Sequence, residues 1–130
     1  MLFKVLLVSL VVLSGCQSEK INFSQTGEAS YYADFFNGRQ TSNGETFQND
    51  SLFAAHRYLP IHTIITVKNL ENGKKIKLRV NDRGPYAKDR ILDVSRRAAD
   101  SLDFLEEGVA QVEITASVPD SVAKSLNEVI

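Results

Sequence analysis

The chain has 130 residues, with 15 Lys and Arg against 16 Asp and Glu, a formal charge of −1. Such a balance argues against nucleic-acid binding, which wants a clustered positive surface, and leaves a neutral polymer such as a glycan as an easy partner. The length supports one domain with one core. Once the single cysteine is accounted for below, no thiol remains for a disulfide, a metal site or a catalytic nucleophile, and no cofactor or metal is expected.

The chain opens on an export signal. Lys4 and the amino terminus supply positive charge, Val5 to Leu13 (VLLVSLVVL) form a nine-residue apolar run, and Ser14 and Gly15 follow. That order predicts a secretory signal peptide over residues 1–15. A membrane-spanning helix would need about 20 apolar residues. Leu13-Ser14-Gly15-Cys16 resembles the bacterial lipobox, whose cysteine becomes the lipidated first residue. Gln17 resembles the sorting position of lipoproteins sent to the outer membrane, so the expected location is the envelope, anchored at Cys16 and facing the periplasm. Removing residues 1–15 takes away one lysine and no acid, leaving a charge of −2.

Residues 17–26 (QSEKINFSQT) are polar and patternless, so 16–26 reads as a lipidated cysteine and tether. From Gly27 a period of two sets in, with Ala29, Tyr31 and Ala33 alternating with Ser30, Tyr32 and Asp34 in a predicted strand. Arg39 to Gln48 (RQTSNGETFQ) is rich in turn formers and reads as a loop. Asp50 is placed to cap a short helix over Ser51 to Tyr58, stopped at Pro60.

Ile61 to Asn69 is β-branched and apolar, and Ile76, Leu78 and Val80 alternate with Lys77, Arg79 and Asn81. Asn72-Gly73 between them predicts a tight hairpin turn with φ > 0 at both residues. Asn81-Asp82-Arg83-Gly84-Pro85 closes the second strand. Ile91, Leu92 and Val94 give another strand, and Ser95 is placed to cap a helix over Arg96 to Asp103. Val112, Ile114 and Ala116 mark a final strand. Val122, Leu126 and Val129 fall at helical spacing in the tail, 117–130. Five or six short strands with one or two small helices suggest a small closed barrel over 27–116.

Three segments concentrate unusual polar residues: Gly38 to Glu45, Ala54-Ala55-His56, and Asn81 to Tyr86. Each also has an ordinary structural reading. Asp82 could accept backbone N–H groups in an Asx turn, His56 could end a helix, and Glu45 could be a solvated loop acid. His62 reads as a surface residue.

Taken in order, Gly27-Glu28-Ala29-Ser30-Tyr31-Tyr32, Asn37-Gly38-Arg39, Thr41-Ser42-Asn43-Gly44-Glu45, Ala54-Ala55-His56, Leu59-Pro60, Val67-Lys68-Asn69-Leu70, Asn72-Gly73, Asn81-Asp82-Arg83-Gly84-Pro85-Tyr86, Arg90-Ile91-Leu92-Asp93-Val94-Ser95 and Ala98-Ala99 resemble the rare lipoprotein A family of septal-ring lytic transglycosylases. The resemblance implies a six-stranded double-psi β-barrel. It also implies cleavage of peptide-stripped peptidoglycan strands between N-acetylmuramic acid and N-acetylglucosamine, leaving 1,6-anhydro ends. The family's catalytic acid falls on Asp82, its second acid on Glu45 and its histidine on His56. Arg39, Arg83 and Tyr86 are the candidate substrate-binding residues.

The residue types suit that chemistry. A carboxylic acid protonates the leaving oxygen, the sugar's own 6-hydroxyl replaces water, and the same carboxylate then acts as base. This role requires Arg83 to point away from Asp82 and burial to raise the Asp82 pKa. The chain departs from the family at Tyr31 or Tyr32 (often Trp), Ala33 (Gly), Phe53 (Thr) and His62 (Gly). No C-terminal SPOR domain is expected within it. Alternatives are a non-catalytic, expansin-like glycan-binding module and an inverting hydrolase with two carboxylates.

Overall fold

A computed structural model describes residues 19–130. The export segment and Cys16 lie outside the described residues. Six strands carry the fold: β1 (Lys20–Tyr31), β2 (Phe53–Ala55), β3 (Ile64–Asn69), β4 (Lys75–Asp82), β5 (Arg90–Val94) and β6 (Val109–Pro119). They close into a barrel in the order β1-β5-β2-β4-β3-β6. The β1/β5 and β2/β4 pairs are parallel, and the other four are antiparallel. Closure gives each of the six described strands a neighbour on both sides, with residues 20–27 of β1 paired to β6 alone.

Alternation builds the core. Along β6, Ala110, Val112, Ile114, Ala116 and Val118 point inward and meet Ile65 and Val67 of β3, Leu78 and Val80 of β4, and Leu92 and Val94 of β5. Helix α1 (Arg96–Ser101) follows β5 directly. Ser95 Oγ accepts from the Ala98 N–H at 3.2 Å, the expected N-cap, and Ala98 and Ala99 are buried. Gly27 is needed where β1 meets β5, because a Cβ there would lie 2.9 Å from Ile91.

Four expectations are corrected. Residues 20–26 are not a tether. They form the first half of β1, paired with β6 from Lys20↔Pro119 to Ser30↔Val109. Only Phe23 among them is buried, so the strand shows little hydrophobic alternation to a reader of sequence. The 51–58 helix is instead the three-residue strand β2, with Phe53, Ala54 and Ala55 all buried between β5 and β4. A short, fully buried apolar run has no periodicity to tell the two apart. The tail does not begin at 117: residues 117–119 finish β6, and the helical spacing beyond them is met by a ten-residue helix, α2 (Asp120–Val129), whose Ala123 and Leu126 are buried.

The β3–β4 connection is the fourth. Only Gly73 has positive φ, at 76°. The Gly73 N–H donates to Asn69 O at 2.8 Å, so the loop spans residues 70–73 rather than two residues. Asn69 Oδ1 accepts from Glu71 N–H and Asn72 Oδ1 from Lys74 N–H, while both amide groups donate to Leu102 O. These side-chain bonds widen the turn that Asn-Gly alone would have tightened.

His62 also has positive φ, 76°. Glycine reaches that region without steric cost, so a histidine here carries backbone strain.

Candidate functional site

The site is built where β4 leaves the barrel. Ala54 pairs with Val80 but Ala55 pairs with Asp82, so Asn81 is an extra residue in β4. Such a bulge re-aims the side chains around it. Arg79, Asn81 and Asp82 then meet the 41–45 loop.

Asp82 is held by four donors from three segments. Its Oδ2 accepts from Tyr32 Oη at 2.6 Å. Its Oδ1 accepts from Ser42 N–H at 2.9 Å, Ser42 Oγ at 2.5 Å and its neighbour's Arg83 N–H at 2.9 Å. Burial works to raise the Asp82 pKa, but the bonds from Ser42, Tyr32 and the Arg83 backbone together hold it below the ordinary value. The expected raised pKa is therefore corrected for the free site: Asp82 rests as a carboxylate. Burial and the same carboxylate push the Tyr32 hydroxyl upward. Tyr32 is itself fixed, with Asn49 Nδ2 donating to its carbonyl and Phe47 packed 4.5 Å from its ring.

Arg83 does point away. Its Nη1 donates to Leu59 O at 2.6 Å and His56 O at 3.2 Å, bracing the 56–59 turn from behind.

Glu45 joins the same surface by another route. The Arg79 guanidinium grips it as a fork, Nη1 to Oε1 at 2.8 Å and Nη2 to Oε2 at 2.5 Å. Asn81 Nδ2 approaches Oε2 at 3.5 Å. The Arg79 bond, opposed by desolvation and aided by Asn43 and Asn81, lowers the Glu45 pKa to about 2. Glu45 is thus an ionised acceptor rather than a proton donor at neutral pH. His62 Nδ1 lies 3.1 Å from Arg79 Nη1.

His56 stands apart from both carboxylates. Its ring is 1% exposed. The N–H groups of Tyr58 and Leu59 both aim at Nδ1, at 3.1 and 3.0 Å, so Nδ1 accepts and Nε2 carries the proton, donating to Gln25 Oε1 at 2.8 Å. Burial, with the charges of Arg83 and Arg57, lowers its pKa to about 4. His56 reaches Asp82 through its backbone, N–H to Asp82 O at 3.2 Å.

Tyr86 follows a cis Gly84–Pro85 bond and is 87% exposed at the rim. Arg39 lies on the exposed loop with its guanidinium 5.8 Å from the Phe36 ring centre. A groove of about 700 Å³ lies between the 37–50 loop and α1, lined by residues including Asn37, Gln48 and Arg97; it contains neither Asp82 nor Glu45. The chemistry of the open rim, not cavity size, marks the site. No group of three or more potential metal ligands occurs among the described residues.

Sequence reading did not single out Tyr32 or Arg79 as parts of this surface, and it flagged Asn81 only within the Asn81–Tyr86 segment. Ser42 lay inside a flagged segment, but no local signal pairs it with a carboxylate 40 residues away.

Comparison with known proteins adds three findings. Residues 24–114 match the lytic transglycolase family. The chain is 53% identical over 97 residues to a protein of Treponema pallidum named probable endolytic peptidoglycan transglycosylase RlpA, covering 75% of this chain and 30% of that protein. It is 45% identical over 107 residues to endolytic peptidoglycan transglycosylase RlpA of Neisseria meningitidis, covering 82% and 45%. The chain thus spans less than half the length of these relatives. Among solved structures, Streptomyces papain inhibitor superposes with a TM-score of 0.57 at 22% identity, covering 72% of this chain and 94% of that one. Clavibacter michiganensis expansin superposes at 0.59 and 17%, covering 75% and 52%. These likenesses show a shared barrel fold.

Proposed function

The chain belongs to the lytic transglycolase family, and from that premise we propose that it cleaves peptidoglycan glycan strands, preferentially peptide-stripped ones, at the N-acetylmuramic acid–N-acetylglucosamine bond, leaving 1,6-anhydro ends. The observation that carries the reading is the Asp82 carboxylate, presented at the barrel rim and held by four donors.

Cleavage requires a proton for the leaving oxygen and removal of the proton from the attacking 6-hydroxyl. As a carboxylate, Asp82 is ready for the second transfer. For the first it must be protonated, which its hydrogen bonds oppose. Burial is the largest influence on this carboxyl and acts upward. A sugar that displaces the Ser42 hydroxyl and excludes water shifts the balance toward the acid form. Asp82 then gives its proton to the leaving oxygen and recovers one as O6 closes on the anomeric carbon.

Glu45, fixed as an acceptor by Arg79, suits a bond from a sugar hydroxyl. His56 supports Asp82 from below through the backbone. Tyr86 and Arg39 offer a ring and a cation to the glycan, while Arg83 acts as a brace. A non-catalytic glycan-binding module is the second reading, favoured by the ionised resting state of Asp82. Mass spectrometry of digests of peptide-stripped glycan separates these: anhydro ends support the lytic reading, reducing ends a hydrolase, and bound but uncut glycan the binding module.

We also infer a lipid anchor at Cys16 in the outer membrane, supported by Leu13-Ser14-Gly15-Cys16 and Gln17. With β1 starting at Lys20, the chain from Cys16 to the barrel reaches at most about 14 Å, so the domain would sit against its membrane. Cys16→Ala should leave the membrane fraction; unchanged fractionation would contradict the anchor.

A further inference from the structure

A second carboxylate lies one strand away from Asp82. Ala55 of β2 pairs with Asp82 on one side and with Asp93 of β5 on the other, and Asp93 pairs with Ser30 of β1. Register partners point to the same face of a sheet, so Ser30, Asp93, Ala55 and Asp82 form one row across four strands. The centre of the row is a methyl group. Neighbouring strands are about 4.8 Å apart, so the Cα atoms of the two aspartates lie roughly 9–10 Å apart with only Ala55 between. Carboxylates flanking a scissile glycosidic bond fall within about 5–9.5 Å of each other.

Asp93 is anchored on one oxygen. Its Oδ1 accepts from Ser30 Oγ at 2.5 Å and lies 3.5 Å from Arg90 Nη1. Arg90 Nη1 also donates to Ser30 Oγ. Oδ2 takes no hydrogen bond from the described residues, and the side chain keeps 19% of its exposure. If the residue served only to hold the β1–β5 seam, both oxygens would be expected to be engaged. Tyr32 links the two acids: its hydroxyl donates to Asp82, its N–H donates to Val94 O beside Asp93 at 3.0 Å, and, after burial, both carboxylates add to the upward push on that hydroxyl.

We propose that Asp93 is a second substrate-contacting carboxylate, meeting the sugar ring through its unbonded oxygen and stabilising the positive charge that develops as the glycosidic bond breaks. The proposal rests on the lytic reading above and deepens it. No proton moves through Asp93. Asp82 protonates the leaving oxygen and takes back the O6 proton, and Asp93 answers the charge left on the ring between those two events.

The test compares purified wild type with Asp93→Asn and Ser30→Ala on peptide-stripped glycan, reading kcat, KM and Tm. Asparagine keeps the size and still accepts from Ser30, so the fold should survive. Removing one preorganised electrostatic partner of a transition state typically costs about 10²–10³-fold. Asp93→Asn should lower kcat by that order with KM within about threefold. Ser30→Ala, which frees Asp93 but keeps its charge, should cost less than about tenfold. Asp93→Asn within about threefold of wild type overturns the proposal. So does Ser30→Ala losing as much kcat as Asp93→Asn with an equal fall in Tm, because the role would then be structural. If wild type releases no product, the lytic reading fails on its own, and glycan affinity decides for Asp93. An Asp93→Ala Kd weakened at least about tenfold supports the contact, and an unchanged Kd overturns it.

Discussion

Strand β4 has two ends, and polar side chains organise both. At Asn69–Lys74 the asparagine side chains serve the backbone: Asn69 and Asn72 cap N–H groups of their own loop and tie it to Leu102 O, Asn69 is 1% exposed, and the Lys74–Asp103 ion pair lies outside on the surface. At Arg79–Asp82 a guanidinium holds one carboxylate and hydroxyls hold the other, the accepting residues are partly open, and one buried atom, Asn81 Oδ1, has no partner among the described residues. The first end is satisfied and closed. The second concentrates charge and leaves acceptor capacity unused, which costs stability unless a ligand completes it.

Substitutions on the two ends should therefore separate activity from stability. Arg79→Ala frees Glu45 and the 41–45 loop, and small misplacements of positioned groups can cost about 10²-fold. It should lower anhydro-product release by roughly 10- to 100-fold with Tm within about 3 °C of wild type, since exposed ion pairs contribute little to stability. Asn69→Ala should do the reverse. Losing its buried bonds costs about 1–3 kcal/mol, so calorimetry should show Tm lower by several degrees while product release per folded molecule stays near wild type. If both variants lose both properties, the two ends are not functionally distinct.

A smaller effect sharpens the place of His56. Its folded pKa, about 4, lies below the ordinary 6.5, so the unfolded chain binds the proton first. The stability His56 contributes is full above pH 6.5 and is lost as pH falls from about 6.5 to 4. Asp82 and Glu45 extend the loss below that. Tm should fall over this window, and His56→Gln should flatten the fall between pH 6.5 and 4.5. An unchanged slope would mean that His56 is not held neutral by its surroundings.

What was legible in the sequence followed from local pattern. The alternation in β4 and β6, the Ser95 cap and the strand after Arg90 all declare themselves within a few residues. The resemblance led to Asp82, and the rim geometry gives it a setting. The rest depends on distant partners. The Asn81 bulge exists because β2 pairs there, and β2 itself has no period. Tyr32 meets Asp82 across 50 residues. The His56 tautomer is set locally by the Tyr58 and Leu59 N–H groups at Nδ1, but the partner of Nε2 is Gln25 of β1, in a segment whose polar side chains hid the start of that strand.

The central claim is that Asp82 carries the proton transfers. Asparagine at this position keeps the size and accepts from Ser42 and Tyr32, but it cannot give and recover a proton. Anhydro-product release by Asp82→Asn on peptide-stripped glycan, measured beside wild type with glycan pull-down and Tm as controls, tests this directly. The account predicts a fall of about 10²–10⁴-fold with pull-down and Tm retained. Release by Asp82→Asn equal to that of an active wild type would contradict it and make Glu45 the next candidate.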